Sequence, residues 1–230
     1  VYEGKLDKVF SYRGHTGETT EKFTFAADKR ACPAIRTAKP LAFIPVFPGT
    51  NCEYDTARAV ERAGGKAEIL VINNLTPADI TASIAKASEI IARSQMIVLP
   101  GGFSGGDEPD GSAKFITAFF RNPAIKEQVT RLLDDRDGLM LGICNGFQAL
   151  IKLGLVPYGK IIDTDDTCPT LTYNTIARHQ SKLVRTRIAS NNSPWLANTE
   201  VGDVYTVPIS HGEGRFIAPP EVLQQLAANG

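Results

Sequence analysis

Between Leu41 and Ile143 the sequence alternates short apolar runs with longer amphipathic stretches, and this pattern limits the possible folds most. The apolar runs predict four buried strands: Leu41–Phe47, Ala67–Ile72, Gln95–Leu99 and Gly138–Ile143. The stretches between them predict helices: Glu53–Ala63, Pro77–Arg93, Gly111–Phe120 and Ile125–Asp134. Parallel strands need crossover helices and are buried on both faces. The sequence therefore predicts an open three-layer α/β domain around a mostly parallel sheet.

Beyond Gly159 the pattern changes to β-type runs separated by polar turns. The runs are Thr170–Ala177, Leu183–Ile188 and Val204–Ile209, and we expect them to add antiparallel strands at one edge of the sheet. Residues 1–39 show no sustained period and are predicted to be an extension. The expected division is therefore a connecting segment, residues 1–39, and one domain, residues 40–230. Because Asn229-Gly230 is a turn dipeptide, this domain is expected to be truncated at its C-terminus.

Composition narrows the class of protein further. The 230 residues are 43% hydrophobic, which is enough to build a sizeable core. The 25 Lys and Arg residues balance 25 Asp and Glu residues, so no net field attracts nucleic acid or an anionic membrane. No apolar run approaches the roughly 20 residues of a membrane helix. The four cysteines lack disulfide-scaffold density, which favours reduced thiols in a cytoplasmic protein.

The strongest chemical signal is a cysteine at the end of the fourth predicted strand. Residues 142–146 read Gly-Ile-Cys-Asn-Gly and lead directly into a predicted helix, Phe147–Leu153. A glycine two positions on either side lets the chain reverse tightly and hold Cys144 exposed at a helix N-terminus. The helix dipole there favours the thiolate, which is the reactive form of cysteine. The plain alternative is a structural cysteine buried at a strand end.

Two other strand ends complete the predicted site. The third strand ends in Pro100-Gly101-Gly102, where glycines can aim backbone N–H groups at an oxyanion. The last β-run ends at His211, and Glu213 follows two residues later, which in extended geometry points both side chains to one side. Glu213 can then orient the imidazole while the other ring nitrogen faces a thiol. The plain alternative for Pro100-Gly101-Gly102 is an ordinary turn. The plain alternative for His211 and Glu213 is a surface ion pair.

Metal and phosphate sites receive little support from the same residues. Cys144, His211, Cys52 and Cys168 have no Cys-x-x-Cys spacing, so we expect no metal site. The glycine-rich run 101–106 lacks the Gly-Lys-Ser or Gly-Lys-Thr ending of a phosphate-binding loop. Nucleotide binding by this chain is therefore not expected.

Four ordered motifs resemble the class I glutamine amidotransferases, which have a flavodoxin-like fold. Within that class they are similar to the glutaminase domain of phosphoribosylformylglycinamidine synthase in its large single-chain form. The motifs are Phe47–Glu53, Pro100–Asp107, Gly142–Gln148 with Gly154–Pro157, and His211–Gly214. The likeness covers about residues 40–216.

The resemblance implies a reaction and a role for each residue. Glutamine would be hydrolysed through a thioester on Cys144, with His211 as base and Glu213 as its orienting group. The N–H groups of Gly102 and Asn145 would form the oxyanion hole. The glutamine contacts would be Gly101, Phe103 and Gln148.

The resemblance also implies what the chain works with. The ammonia would pass to a synthetase domain that converts formylglycinamide ribonucleotide to the amidine in purine biosynthesis. That partner domain, covalently linked through residues 1–39, would bind ATP and Mg²⁺, and this chain would need no cofactor.

Two alternatives stay open at this point. The chain departs from many relatives in the loop 104–110, which reads Ser-Gly-Gly-Asp-Glu-Pro-Asp where they have an aromatic and a basic residue, and its acidic part is residues 107–110. A peptidase or deglycase of similar fold would use the same reactive cysteine on another substrate. A non-catalytic module that only docks on a synthetase would have an ordinary, unactivated thiol.

Overall fold

The computed structural model describes residues 23–103 and 111–230. The predictions that concern the loop 104–110 lie outside the described residues. Contacts divide the chain into two compact units. Among the described residues, the first comprises 33–103 and 111–170 and is called the sheet unit; the second comprises 23–32 and 171–230 and is called the ribbon unit. The predicted boundary between residues 39 and 40 stays a prediction.

The sheet unit contains four parallel strands in the order β2-β1-β3-β4. These strands are β1 (Leu41–Val46), β2 (Lys66–Val71), β3 (Met96–Leu99) and β4 (Leu139–Gly142). All four predicted strands are confirmed, with ends that differ by one residue. Parallel pairing places the ends of β1, β3 and β4 at one edge of the sheet, where the predicted cysteine and glycine motifs follow.

Six helices lie between or after these strands. They are α1 (Glu53–Arg62), α2 (Pro77–Arg93), α3 (Lys114–Phe120), α4 (Pro123–Thr130), α5 (Asn145–Leu153) and α6 (Leu155–Tyr158). A π-helical turn, Arg131–Asp135, extends α4. Helix α3 begins three residues later than predicted, because Gly111 and Ala113 have φ angles of 86° and 60° and cannot continue a right-handed helix.

The core confirms the three-layer arrangement. Phe43, Ile97 and Leu99 point to one face of the sheet and pack with buried side chains of α2, α3, α4 and α5. Ala42, Ile44 and Val98 point to the other face, where α1 covers them with Ala57 and Val60. Alternate strand residues therefore enter opposite apolar layers, as expected of a sheet buried on both sides.

Helix α2 has well-defined ends. At its start the Thr76 side chain accepts a hydrogen bond from the Asp79 N–H, and the Asp79 carboxylate accepts from the Thr76 N–H. This capping box satisfies two backbone donors that have no partner within the helix. At its other end the Arg136 guanidinium donates to the carbonyls of Ile91, Ala92 and Ser94. Helix α2 is thus fixed at both ends against the sheet.

The ribbon unit is built mainly from antiparallel strands. Its elements are β5 (Thr170–Thr172), β6 (Gln180–Arg187), β7 (Val204–His211), β8 (Arg215–Ile217) and α7 (Pro220–Asn229). Strands β6 and β7 pair over eight residues, from Gln180↔His211 to Arg187↔Val204. Strand β5 pairs with β8.

The predicted antiparallel strands are therefore confirmed, but they do not extend an edge of the parallel sheet. In the described residues they form two-stranded sheets of their own. Each long strand finds a complete partner in the other, and the charged Lys182, Arg185 and Arg187 of β6 suit an edge strand that pairs no further.

Part of the predicted connecting segment is bound within the ribbon unit. The Phe25 N–H donates to the Ala189 carbonyl at 2.8 Å, and the Ala27 N–H donates to Asn191 Oδ1 at 2.9 Å. Arg30 Nη1 donates to the carbonyl of Ala197 at 2.5 Å. Residues 25–30 are thus held by the ribbon unit.

In the parts of the chain that the structure describes, no helix combines the length and the apolar character needed to cross a membrane.

Candidate active site

Cys144 lies in a sharp turn between β4 and α5, as the sequence predicts. It is exposed, and its backbone has φ 52° and ψ −109°. A residue other than glycine is strained in this region of φ/ψ space and stays there only when its surroundings enforce it. Helix α5 begins at Asn145, immediately after the cysteine. The thiol therefore stands at the N-terminus of a nine-residue helix.

The two glycines of the turn are required by close backbone packing. A β-carbon added to Gly142 would lie 2.5 Å from the Gly146 carbonyl oxygen. One added to Gly146 would overlap the Leu99 carbonyl and lie 2.7 Å from Leu99 Cβ. No side chain fits at either position, because non-bonded heavy atoms approach favourably only to about 3.5 Å. The spacing that pointed to a tight turn is thus explained by the close approach of Gly142 to Gly146 and of Gly146 to Leu99 at the end of β3.

The predicted oxyanion segment lies beside the nucleophile. A β-carbon on Gly101 would be 3.2 Å from Cys144 Cβ and 4.0 Å from its sulfur. The next residue, Gly102, has φ 131°, a conformation available to glycine. The structure thus brings Gly101 and Cys144 together within the sheet unit.

The loop after β1 fixes the orientation of Gly102. Asn51 N–H donates to the Gly101 carbonyl, and Phe103 N–H donates to the Gly49 carbonyl, both at 2.8 Å. These bonds flank an antiparallel bridge between Thr50 and Gly102. In such a non-hydrogen-bonded pair the N–H groups of the two opposed residues point away from each other. The Gly102 N–H is therefore directed away from Thr50, while its role at an oxyanion stays a prediction.

The predicted glutamine contacts differ in exposure. Phe103 is half exposed and follows the oxyanion segment directly, whereas Gln148 is buried on the first turn of α5. Gln148 Oε1 accepts a hydrogen bond of 2.9 Å from Asn145 Nδ2, and Asn145 is itself buried. Gln148 thus holds the start of the helix, and its contact with substrate stays a prediction.

The predicted base, His211, is the last residue of β7 in the ribbon unit. Its ring is partly buried, and its Nδ1 lies 3.1 Å from Asn174 Oδ1. Burial lowers the pKa of His211 below its ordinary value, and the nearby His179 lowers it further. A lowered pKa keeps the imidazole neutral, which is the state that can accept a proton.

Glu213 is buried, with 4% of its surface exposed. The hydrogen bond at His211 Nδ1 runs to Asn174, not to this carboxylate. The orienting role of Glu213 stays a prediction, and Asn174 is a contact that the sequence analysis missed. Asn174 lies in a run predicted to be a strand, which ends at Thr172 because a turn at Asn174 to Ala177 follows. An asparagine that interrupts a β-run was the available signal for this turn.

The described residues do not form a metal centre. They contain no group of three or more His, Cys, Asp or Glu side chains arranged to hold an ion. The sheet unit therefore presents a strained thiol with glycine-lined backbone, and the ribbon unit presents a neutral imidazole. Acyl transfer from an amide through a cysteine requires a thiol nucleophile and an imidazole base.

The fold agrees with the comparisons with known proteins. Residues 39–230 match the family model described as CobB/CobQ-like glutamine amidotransferase domain, and the chain belongs to this family. Its relatives include three proteins named phosphoribosylformylglycinamidine synthase subunit PurQ. The one from Dehalococcoides mccartyi is 36% identical over 78% of this chain and 64% of its own length. Those from Rubrobacter xylanophilus and Acaryochloris marina are 31% and 35% identical, over 81% and 80% of this chain and 71% and 66% of their lengths.

A solved structure supports the same assignment. A chain in the structure of PurLQS from Thermotoga maritima superposes with a TM-score of 0.58 and 26% identity, over 80% of this chain and 71% of that one. These comparisons confirm the glutamine amidotransferase fold. They also qualify the sequence prediction, because the relatives are named as a subunit and not as part of a large single chain. The chain spans about two thirds of the length of these relatives.

Proposed function

We propose that this chain is the glutaminase component of phosphoribosylformylglycinamidine synthesis. It hydrolyses glutamine to glutamate and ammonia, and the ammonia serves the ATP-dependent conversion of formylglycinamide ribonucleotide to its amidine in purine biosynthesis. The observation that carries this proposal is the exposed Cys144, held at φ 52° at the start of α5 in a glutamine amidotransferase domain. The names of the similar proteins supply the identity of the pathway.

In the first half of the reaction the neutral imidazole of His211 takes the proton of the Cys144 thiol and becomes an imidazolium, and the thiolate attacks the side-chain carbonyl carbon of glutamine. A C–S bond forms, and the carbonyl oxygen becomes an oxyanion that the N–H groups of Gly102 and Asn145 stabilise. The C–N bond then breaks, and the imidazolium of His211 donates the proton that lets nitrogen leave as ammonia. The product on the enzyme is a γ-glutamyl thioester.

In the second half, water attacks the thioester while His211 accepts its proton. The C–S bond breaks, glutamate leaves and the thiol is restored, so that glutamine and water give glutamate and ammonia. Glu213 supports the imidazole in both halves. Gly101, Phe103 and Gln148 contribute to the glutamine-binding surface.

A synthetase is the proposed partner, because the relatives are named as a subunit of a synthase. ATP and Mg²⁺ act in that partner, and this chain needs no cofactor for the amidase step. Covalent linkage through residues 1–39 stays a prediction, and the subunit names favour a separate partner chain. Four free cysteines suit the reducing cytoplasm, where we place the reaction.

The decisive experiment combines substrate turnover with covalent labelling. The chain is incubated with glutamine, with and without the synthetase, and glutamate and ammonia are measured. A glutamine-mimicking chloroketone is then used to label the cysteines, which are identified by peptide mapping. We expect labelling at Cys144 that glutamine blocks, and glutamate release that Cys144→Ala abolishes. Turnover is expected to rise when the synthetase is present, since partner binding commonly completes such sites.

Cys52 provides a matched control. It is exposed, has φ 66° and stands at the N-terminus of α1, so it shares the local setting of Cys144. Cys52→Ala is expected to keep both the labelling and the turnover. Labelling of Cys144 that glutamine does not block would point to a different thiol hydrolase. The absence of both labelling and turnover with the synthetase present would leave only a docking role and would overturn the proposal.

A further inference from the structure

The side chain of Asn174 joins several groups around His211. Its Nδ2 donates to the backbone carbonyls of His211 at 2.9 Å and of Arg178 at 3.1 Å. Its Oδ1 accepts from the Gly214 N–H at 3.1 Å and lies 3.1 Å from His211 Nδ1. The Asn174 N–H also donates to the Gly212 carbonyl at 2.8 Å. One asparagine therefore connects the end of β7 with the turn that follows it.

These contacts determine which end of the amide faces the ring. Backbone carbonyls only accept hydrogen bonds, so the two carbonyl contacts require the NH₂ group. The Gly214 N–H only donates, so its contact requires the carbonyl oxygen. Three backbone groups thus assign the orientation of the Asn174 amide without any assumption about the protonation of the His211 ring. The atom next to His211 Nδ1 is an acceptor.

The tautomer of the histidine follows from this assignment. A neutral imidazole carries its proton on one nitrogen and a lone pair on the other. Because Asn174 Oδ1 accepts, Nδ1 must carry the proton, and Nε2 keeps the lone pair. Only Nε2 can then act as the base.

Gly214 limits the position of the same ring. A β-carbon on Gly214 would overlap the imidazole, with Nε2 only 2.5 Å away. The ring therefore lies directly over the Gly214 backbone, in space that any side chain would fill. With Asn174 at Nδ1 and Gly214 beneath the ring, the imidazole is held in both rotation and position.

We propose that Asn174 is a positioning residue that holds His211 as the Nδ1-protonated tautomer and directs Nε2 to the reaction. This inference rests on the proposed glutaminase function and adds a residue to it. Asn174 makes the contact at Nδ1, while the orienting role predicted for Glu213 stays a prediction. It acts through the histidine and does not need to touch glutamine.

The first test needs no substrate. Nitrogen-15 NMR of the histidines in the full chain, at a pH where His211 is neutral, distinguishes a protonated ring nitrogen from an unprotonated one. We expect the proton on Nδ1 of His211 in the parent protein and a mixture of tautomers in Asn174→Ala. A parent protein with the proton on Nε2 would overturn the proposal. Because this readout is independent of turnover, it stands even if the glutaminase reaction is not found.

The second test compares variants by glutamate release in the presence of the synthetase. Asn174→Ala is expected to lower turnover about 100-fold at saturating glutamine, within the range for lost acid–base catalysis. Asn174→Asp loses the donor to the carbonyls of His211 and Arg178 but keeps an acceptor at Nδ1, and it is expected to retain at least tenfold more activity than the alanine variant. Its carboxylate favours the imidazolium, so its acid limb should move to higher pH. Equal losses in both variants, without that shift, would mean that Asn174 only stabilises the fold.

Asn191 offers a control in the same unit. Asn191 is buried, whereas Asn174 is partly buried, and Asn191 Oδ1 likewise accepts from a backbone N–H, that of Ala27. Asn191→Ala is expected to lower stability and to leave the His211 tautomer unchanged. A change of tautomer in this variant as large as in Asn174→Ala would contradict a specific role for Asn174.

Discussion

Gly101 and Cys144 stand so close that a β-carbon on the glycine would lie 3.2 Å from Cys144 Cβ. This separation is below the favourable distance for two carbon atoms, which is about 3.5–4.0 Å. The loop after β3 and the loop after β4 are therefore in contact at this point. The hydrogen atom of Gly101 fits beside Cys144, whereas the methyl group of an alanine would not fit without a shift. Gly101 is a part of the site that can be altered without changing a functional group.

Gly101→Ala is accordingly expected to reduce turnover with little loss of stability. The methyl group would displace the Cys144 side chain by a few tenths of an ångström, and we expect about tenfold slower glutamate release, equivalent to about 1.4 kcal/mol. Steady-state rates and urea unfolding of the same samples measure both effects. Gly159→Ala serves as a control for the rate: nothing lies within 4 Å of the added carbon, so turnover should not change, although the φ of 71° should make this variant less stable. An unchanged rate in Gly101→Ala would contradict the prediction.

Cys144→Gly is expected to make the protein more stable. Glycine adopts φ 52° and ψ −109° without the strain that a β-carbon causes, and such strain costs about 1–3 kcal/mol. We expect the free energy of unfolding to rise by about 1 kcal/mol relative to Cys144→Ala, which keeps the β-carbon. Chemical denaturation of both variants provides the measurement. Equal stabilities would show that the turn does not store strain at this residue.

His179→Gln is expected to raise the pKa of His211. Burial is the main cause of the lowered pKa, and the positive charge of His179 is the second, so this substitution should remove only the second. In the parent protein the acid limb of turnover that reports His211 should lie below pH 6.5, the ordinary value. In His179→Gln it should move to higher pH because the imidazolium of His211 is less disfavoured. Histidine titration by NMR measures the change, and an unchanged or lower pKa would refute it.

Thr76→Ala is expected to affect stability alone. It removes both the side-chain acceptor for the Asp79 N–H and the hydroxyl that donates to the Asp79 carboxylate, at a cost of about 1 kcal/mol. Thr81, four residues into α2, bonds only the Pro77 carbonyl, so Thr81→Ala should cost little. Urea unfolding of the two variants tests the difference. Labelling of Cys144 by the chloroketone should be the same in both.

The sheet unit could be predicted closely because its signals are local. The runs around Phe43, Ile97 and Met140 are apolar and short, and each is followed by turn residues, so the strand and its end are both visible in the sequence. The Gly-x-Cys-x-Gly turn is equally local. Helix α5 nevertheless begins at Asn145, earlier than Phe147, because the helix starts directly after the strained cysteine.

The ribbon unit was predicted less well because its contacts are distant in sequence. Asn174 and His211 are 37 positions apart, and no pattern in the sequence predicts the hydrogen bond between them. In the sheet unit, the bridge from Thr50 to Gly102 could not be predicted from the sequence for the same reason, since it depends on how two strand ends meet. Helix α7 was not predicted, although Pro220 near its start and Leu223 and Leu226 on one face were available signals.

The two units differ in how far apart their contacting residues lie in the sequence, and this difference affects folding during synthesis. Ala27 and Arg30 find their partners 164 and 167 positions later, whereas the whole of residues 33–170 is contiguous. Domains emerging from the ribosome fold as units, and contacts between distant residues form late. A growing polypeptide can thus fold the turn that holds Cys144 before His211 has been translated. Under the proposed mechanism, the nascent chain passes through a stage in which the thiol has no imidazole base, and glutamine hydrolysis becomes possible only after β7 has been synthesised.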